Sequence, residues 1–249
     1  MWSIEERERL REELLAAARA DRRIVAGALT GSASVGLEDR WSDVDLAFGV
    51  GDASELHAAL AAWTTLMYER HRALHHVDMP VGPTVYRVFL LENGLQVDLA
   101  FTPASEFGAR GPAFRLLFGT ATDRLPLPPS AEHLIGMAWL HGLHARTSIV
   151  RGKLWQAEYM VSAVRDHVLA LASLRHGLPT AYGRGTDRLP VAVTAPLEDG
   201  LVRSLEAEEL ARALAVVMRA LIGEIGATSA DLLARLEKVL TEVVETARA

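Results

Sequence analysis

Two aspartates two residues apart, in Ser42-Asp43-Val44-Asp45-Leu46, follow closely on the small-residue run Gly31-Ser32-Ala33-Ser34-Val35-Gly36. In an extended strand, side chains at i and i+2 leave the same face. Two carboxylates on one face repel each other unless a cation sits between them. Hard cations such as Mg²⁺ take carboxylate oxygens together with the phosphates of a substrate. A glycine turn beside them offers backbone N–H groups to those phosphates. The residue types and their spacing therefore point to a metal–nucleotide site.

A third carboxylate stands where such a site needs one. Thr84 to Leu91 reads as a strand rich in β-branched and aromatic residues. Glu92-Asn93-Gly94 is a hairpin signal, and Leu95 to Phe101 is the return strand, apolar except for Gln96 and for Asp98 in its middle. Three carboxylates on adjacent strands suit two metal ions that clamp the attacking and leaving oxygens of an in-line phosphoryl displacement. The bland alternatives are a strand end whose aspartates cap a turn, and an ion pair between Asp98 and Arg87.

Gly31-Ser32, the pair Asp43 and Asp45, and the later Val97-Asp98-Leu99, in that order, resemble the signature of the DNA polymerase β-type nucleotidyltransferase superfamily. The similarity is greater to its small bacterial members, which modify aminoglycoside or lincosamide antibiotics, and it covers roughly the first half of the chain. The resemblance implies that Asp43 and Asp45 hold Mg²⁺ and that Asp98 completes the metal site or activates the acceptor hydroxyl. It also implies that Gly31 and Ser32 hold the nucleotide phosphates, with Ser42 supporting the turn. ATP is the implied donor, AMP the transferred group, and a small-molecule hydroxyl the acceptor. An antibiotic-resistance role and a homodimer are further implications of the family rather than of any motif here.

The elements that must position these residues follow from periodicity. Residues 3–20 read as a helix with Leu10, Leu14, Leu15 and Ala18 on one face, and Arg23 to Leu29 as a buried strand. Residues 33–38 read as a short helix whose N-terminus faces the phosphates. Val44 to Val50 is the next strand, Ala53 to Arg70 a helix, and 84–101 the hairpin. Pro126, Pro128 and Pro129 break the chain, and Ser130 is a helix N-cap. Helical spacing then runs over 131–149, 153–176, 204–222 and 228–247. The expected fold is α+β: a small mixed-sheet catalytic domain over 1–125, then a helical bundle over 130–249 that binds substrate.

Such a layout implies a cleft between the two domains. Arg151 and Lys153 are candidates to neutralise triphosphate charge. Trp155 and Tyr159 are candidates to stack on a base or an acceptor ring, Trp155 reading equally as core. Glu158 is a candidate general base on the acceptor hydroxyl, reading equally as an exposed helix residue paired with a basic neighbour. His75-His76 point to opposite faces of an extended chain and do not share one ion. His141 and His144 lie on one helical turn without an assigned role. The stretch 182–188 either covers the site or connects helices.

Composition narrows the partners. The chain has 249 residues, half of them hydrophobic, no cysteine and a net charge of −6. A disulfide framework and a thiolate metal site are excluded. The acidic balance and the absence of a basic tract argue against a nucleic-acid partner, including an RNA end as acceptor. The charged start, Met1 to Arg9, lacks the apolar run of a signal peptide, and no stretch has the length of a membrane span, so a cytoplasmic protein is expected. Two other readings share the motifs: an antitoxin-type nucleotidyltransferase that modifies a protein partner, and a nucleotide-binding module without transfer activity.

Overall fold

The computed structural model describes residues 2–123 and 128–246. Pro126, expected at the interdomain break, lies outside them, as do residue 125 at the end of the expected first domain and residue 247 at the end of the expected last helix. The chain is α+β, and its contacts divide it into two compact units, Met1–Pro126 and Leu127–Ala249.

The first unit is a six-stranded mixed sheet with helices. Helix α1 spans Ile4–Ala20, opened by a capping box in which Ser3 and Glu6 satisfy each other's backbone N–H groups. Strand β1 (Ile24–Thr30) is followed by a single helical turn, α2 (Gly31–Ser34), by β2 (Val44–Val50) and by helix α3 (Leu56–Arg70). Strands β3 (Ala73–Val81), β4 (Thr84–Leu91), β5 (Gln96–Pro103) and β6 (Phe114–Phe118) complete it, in the spatial order β3-β4-β5-β2-β1-β6. Among the six strands the β2–β5 pairing alone is parallel; their other pairings are antiparallel.

The pleat divides the central strands into two faces. Leu46, Phe48, Val97, Leu99 and Phe101 enter a core with Leu14 of α1 and with Leu60, Trp63 and Met67 of α3. Phe48 and Trp63 have ring centroids 4.8 Å apart, and Trp63 donates from its indole N–H to Asp21 at 3.1 Å. Each such fully buried large side chain stabilises the unit by about 1.5–3 kcal/mol. The alternate residues, Asp45, Ala47, Asp98 and Ala100, leave the other face. There Ala26, Ala28, Ala47 and Ala100 form a thin layer under Phe107.

Several elements differ from expectation. The short helix is one turn that starts at Gly31 itself and ends at Ser34, and α3 is preceded by a separate 3₁₀ turn at Ala53–Glu55. Strands β3 and β6 carry no clear apolar alternation and were not expected. The hairpin between β4 and β5 closes through Glu92, Asn93 and Gly94, with Leu91 N–H donating to the Leu95 carbonyl. Gly94 takes φ +84° while Asn93 does not take positive φ, which identifies a three-residue loop rather than a two-residue Asn-Gly turn.

The second unit is helical: α4 (Ala131–Val150), α5 (Leu154–Arg175), α6 (Val191–Glu198), α7 (Ala207–Thr228) and α8 (Ala230–Thr246). Ser130 caps α4 by accepting from the His133 N–H. Helix α7 is its centre, burying Leu210, Leu214, Val217, Met218, Leu221 and Ile225. Arg175 of α5 grips Glu224 of α7 with two hydrogen bonds of 3.0 and 2.8 Å. His141 of α4 and His167 of α5 stack with ring centroids 5.1 Å apart, and burial holds both below the ordinary imidazole pKa. No described helix is long and apolar enough to cross a membrane.

Candidate functional site

The three aspartates come together because β2 and β5 run parallel and side by side. Asp45 and Asp98 are register partners in that ladder, and Asp43 stands one residue before β2 begins. One carboxylate oxygen from each of Asp43, Asp45 and Asp98 lies within 4.8 Å of the others, and all three side chains are half-buried. Among the described residues this is the one acidic or histidine cluster with metal-holding geometry. The donors are all hard oxygens, which suits Mg²⁺ or Mn²⁺ and not a soft metal.

Gln96, on the same face of β5 as Asp98, donates its side-chain N–H₂ to Asp98 Oδ1 at 2.9 Å and to Asp43 Oδ2 at 3.2 Å. These donors relieve part of the repulsion between like charges. Arg87 is the register partner of Leu99 and so leaves the opposite face from Asp98, unlike the ion pair that the sequence allowed. Arg87 projects to the helix-covered face and makes a two-pronged ion pair with Asp78, at 2.6 Å to each carboxylate oxygen. That guanidinium holds the Asp78 carboxyl below its usual range.

Gly31 follows the end of β1 and opens α2 against this cluster. Its φ is +59°, and a methyl group there would overlap the carboxylate of Asp45. Only glycine lets the turn lie on the acidic cluster in this conformation. Ser32, half-buried in the same turn, accepts from the N–H groups of Val35 and Leu37 with its carbonyl. Ser42 serves the loop that leads to Asp43. Its hydroxyl accepts from the Asp39 N–H at 2.9 Å and donates to Asp39 Oδ1 at 3.1 Å. The backbone N–H of Trp41, with help from Ser42, holds the Asp39 carboxyl below its usual range.

The remaining candidates belong to the second unit. Arg151 is the exposed C-cap of α4, and Lys153 is the exposed N-cap of α5 across a turn at Gly152. Trp155 is 76 % exposed and Tyr159 66 %, so the reading of Trp155 as core is wrong. The two aromatics sit one helical turn apart on the solvent face of α5. Glu158, half-buried, accepts a 2.8 Å hydrogen bond from the Ser162 hydroxyl rather than pairing with a basic neighbour. Gln96 and the buried Arg7 of α1 were missed. Gln96 was open to inference, standing two residues before Asp98 on the same strand face.

No family model matches the chain, and no curated protein matches it. Among solved structures, an aminoglycoside 6-adenyltransferase from Bacillus subtilis aligns over 98 % of this chain and 99 % of its own, with 16 % identity and a TM-score of 0.40.

Proposed function

We propose that this chain is a Mg²⁺-dependent nucleotidyltransferase that moves a nucleoside monophosphate, AMP from ATP, onto a hydroxyl of a small molecule. The convergence of Asp43, Asp45 and Asp98 within 4.8 Å of one another, beside a glycine turn, carries the reading. Asp43, Asp45 and Asp98 would hold the metal, which when bound supplies charge neutralisation for a triphosphate. The backbone of Gly31 and Ser32 faces the donor's phosphates, with Ser42 keeping the preceding loop in place. Asp98 takes the proton of the acceptor hydroxyl as its oxygen bonds to the α-phosphorus. The bond from that phosphorus to the bridging oxygen breaks, and pyrophosphate leaves. Positioning and charge complementarity do most of the work, with no covalent intermediate on the protein.

Aminoglycosides and lincosamides are the acceptor classes to try first, in line with the motif resemblance. The test is incubation of the purified chain with Mg²⁺, each of the four ribonucleoside triphosphates and a panel of such acceptors plus cell extract, read by mass spectrometry. A monophosphate adduct on a small molecule that disappears in Asp45→Asn supports the reading. An adduct on a protein alone replaces it with the antitoxin-type activity. Normal turnover in Asp45→Asn sinks the mechanism.

A further inference from the structure

We propose that Arg7, far along the chain from Asp43, Asp45 and Asp98, is the positioning residue that sets Asp43 for metal binding; this rests on the metal site of the proposed function. Helix α1 turns one face to the core through Leu10, Leu14 and Ala18, and the next position on that face is Arg7, only 2 % exposed. Burying a guanidinium is costly unless its charge is met, and although Nε of Arg7 finds no partner, both terminal nitrogens do. Here Nη1 donates to the carbonyls of Asp39, at 2.5 Å, and Ser42, at 3.1 Å. Nη2 reaches the Glu38 carboxylate at 3.4 Å, and Arg11 from the next turn of α1 holds the same oxygen of Glu38 at 2.6 Å.

These contacts bear on one stretch of backbone. The Ser42 carbonyl belongs to the peptide group whose nitrogen is that of Asp43, so Arg7 grips the link that carries the metal ligand. The same stretch connects Asp43 to the Gly31-Ser32 turn, where the Ser32 carbonyl accepts from the Leu37 N–H at 3.0 Å. The loop between the phosphate turn and the acidic pair has exposed side chains at Leu37, Asp39, Arg40 and Trp41 and no strand partner of its own. Its conformation is fixed from beneath by α1. The planar fork of arginine reaches two carbonyls and a carboxylate at once, and a lysine ammonium on a flexible stem does not reproduce that geometry. Arg7 thus acts through the backbone of Asp43.

The test is Mn²⁺ binding to the full chain without nucleotide, followed by electron paramagnetic resonance, alongside unfolding midpoints. Wild type binds Mn²⁺ and Asp43→Asn does not. Arg7→Lys is expected to weaken Mn²⁺ binding about ten-fold while remaining folded, as partners behind a metal ligand do. Asp39→Ala loosens the same turn from its exposed side and is expected to weaken it in the same direction. Leu14→Ala, a cut in the same helix face, lowers the unfolding midpoint without moving Mn²⁺ affinity, which separates positioning from simple destabilisation. If Arg7→Lys does not fold, Glu38→Gln, which loosens the Nη2 contact of Arg7, decides in its place. Folded variants that bind Mn²⁺ within two-fold of wild type overturn the role of Arg7 and leave the metal site standing. Wild type that binds no Mn²⁺ overturns both.

Discussion

The two faces of strands β2 and β5 are built from alternate residues of the same chain, and they could hardly differ more. One face presents Leu46, Phe48, Val97, Leu99 and Phe101 to helices and excludes water. The other presents Asp45 and Asp98, in register, with nothing larger than alanine at Ala47 and Ala100 beyond them. The first face buys the rigidity that the second uses. Three carboxylates stay within reach of one another because the strands beneath them are clamped by aromatic packing. Stability and chemistry are thereby assigned to neighbouring residues, and substitution can separate them.

The sharpest separation is between Asp45 and Phe48, three residues apart on β2. Asp45→Asn is expected to lower transfer by a factor of about 10³, with the far-ultraviolet circular dichroism spectrum and unfolding midpoint close to wild type. Phe48→Ala is expected to lower stability by about 3–5 kcal/mol in chemical denaturation, while the fraction still folded keeps Mn²⁺ binding. If the two variants lose both properties together, the faces are not independent.

Gly31→Ala tests the point where the chemical face meets the backbone. The left-handed conformation costs about 1–2 kcal/mol for a residue with a side chain, and the added methyl also displaces Asp45. Calorimetric Mn²⁺ titration is expected to show weakened binding, with a modest drop in the denaturation midpoint. An unchanged titration would mean that the turn and Asp45 are not in contact in solution.

The smallest effect belongs to Asp78 on the helix-covered side. The Arg87 guanidinium lowers its pKa from 3.8. The ion pair therefore adds stability that is fully present above that ordinary value and is lost as pH falls through the lowered folded value. Thermal unfolding of wild type should fall more steeply below about pH 4 than that of Asp78→Asn. Because Asp78 is partly exposed, the difference is small, and parallel curves would show that the pair contributes nothing.

Much of the site was legible because its signals are local. Val44 to Val50 is a strand with the expected bounds, Asp98 falls on the return strand of the hairpin, and Gly31 is forced by a close approach. The rest depends on distance. Strand β3 lies at the sheet edge with most of its side chains exposed, so its residues, His75 to Pro80 among them, carry no apolar rhythm to read. Arg7 looked like one more charge on a charged helix, since its acceptors are backbone carbonyls more than thirty positions away that any residue type supplies. Trp155 defeated the ordinary rule that large aromatics are interior, because nothing in its helical spacing states which side faces solvent.

The parallel pairing of β2 with β5 has a kinetic consequence. Asp45 and Asp98 are neighbours in space but 53 positions apart in sequence, with α3, β3 and β4 threaded between them. Closing so long a segment costs chain entropy before the pairing is gained, so this pairing is expected to come late in folding. A nascent chain that has not yet delivered β5 holds only two of the three clustered aspartates, whatever else it has folded. Divalent metal would therefore act on the finished sheet alone, slowing its unfolding and leaving the earlier steps of its assembly untouched.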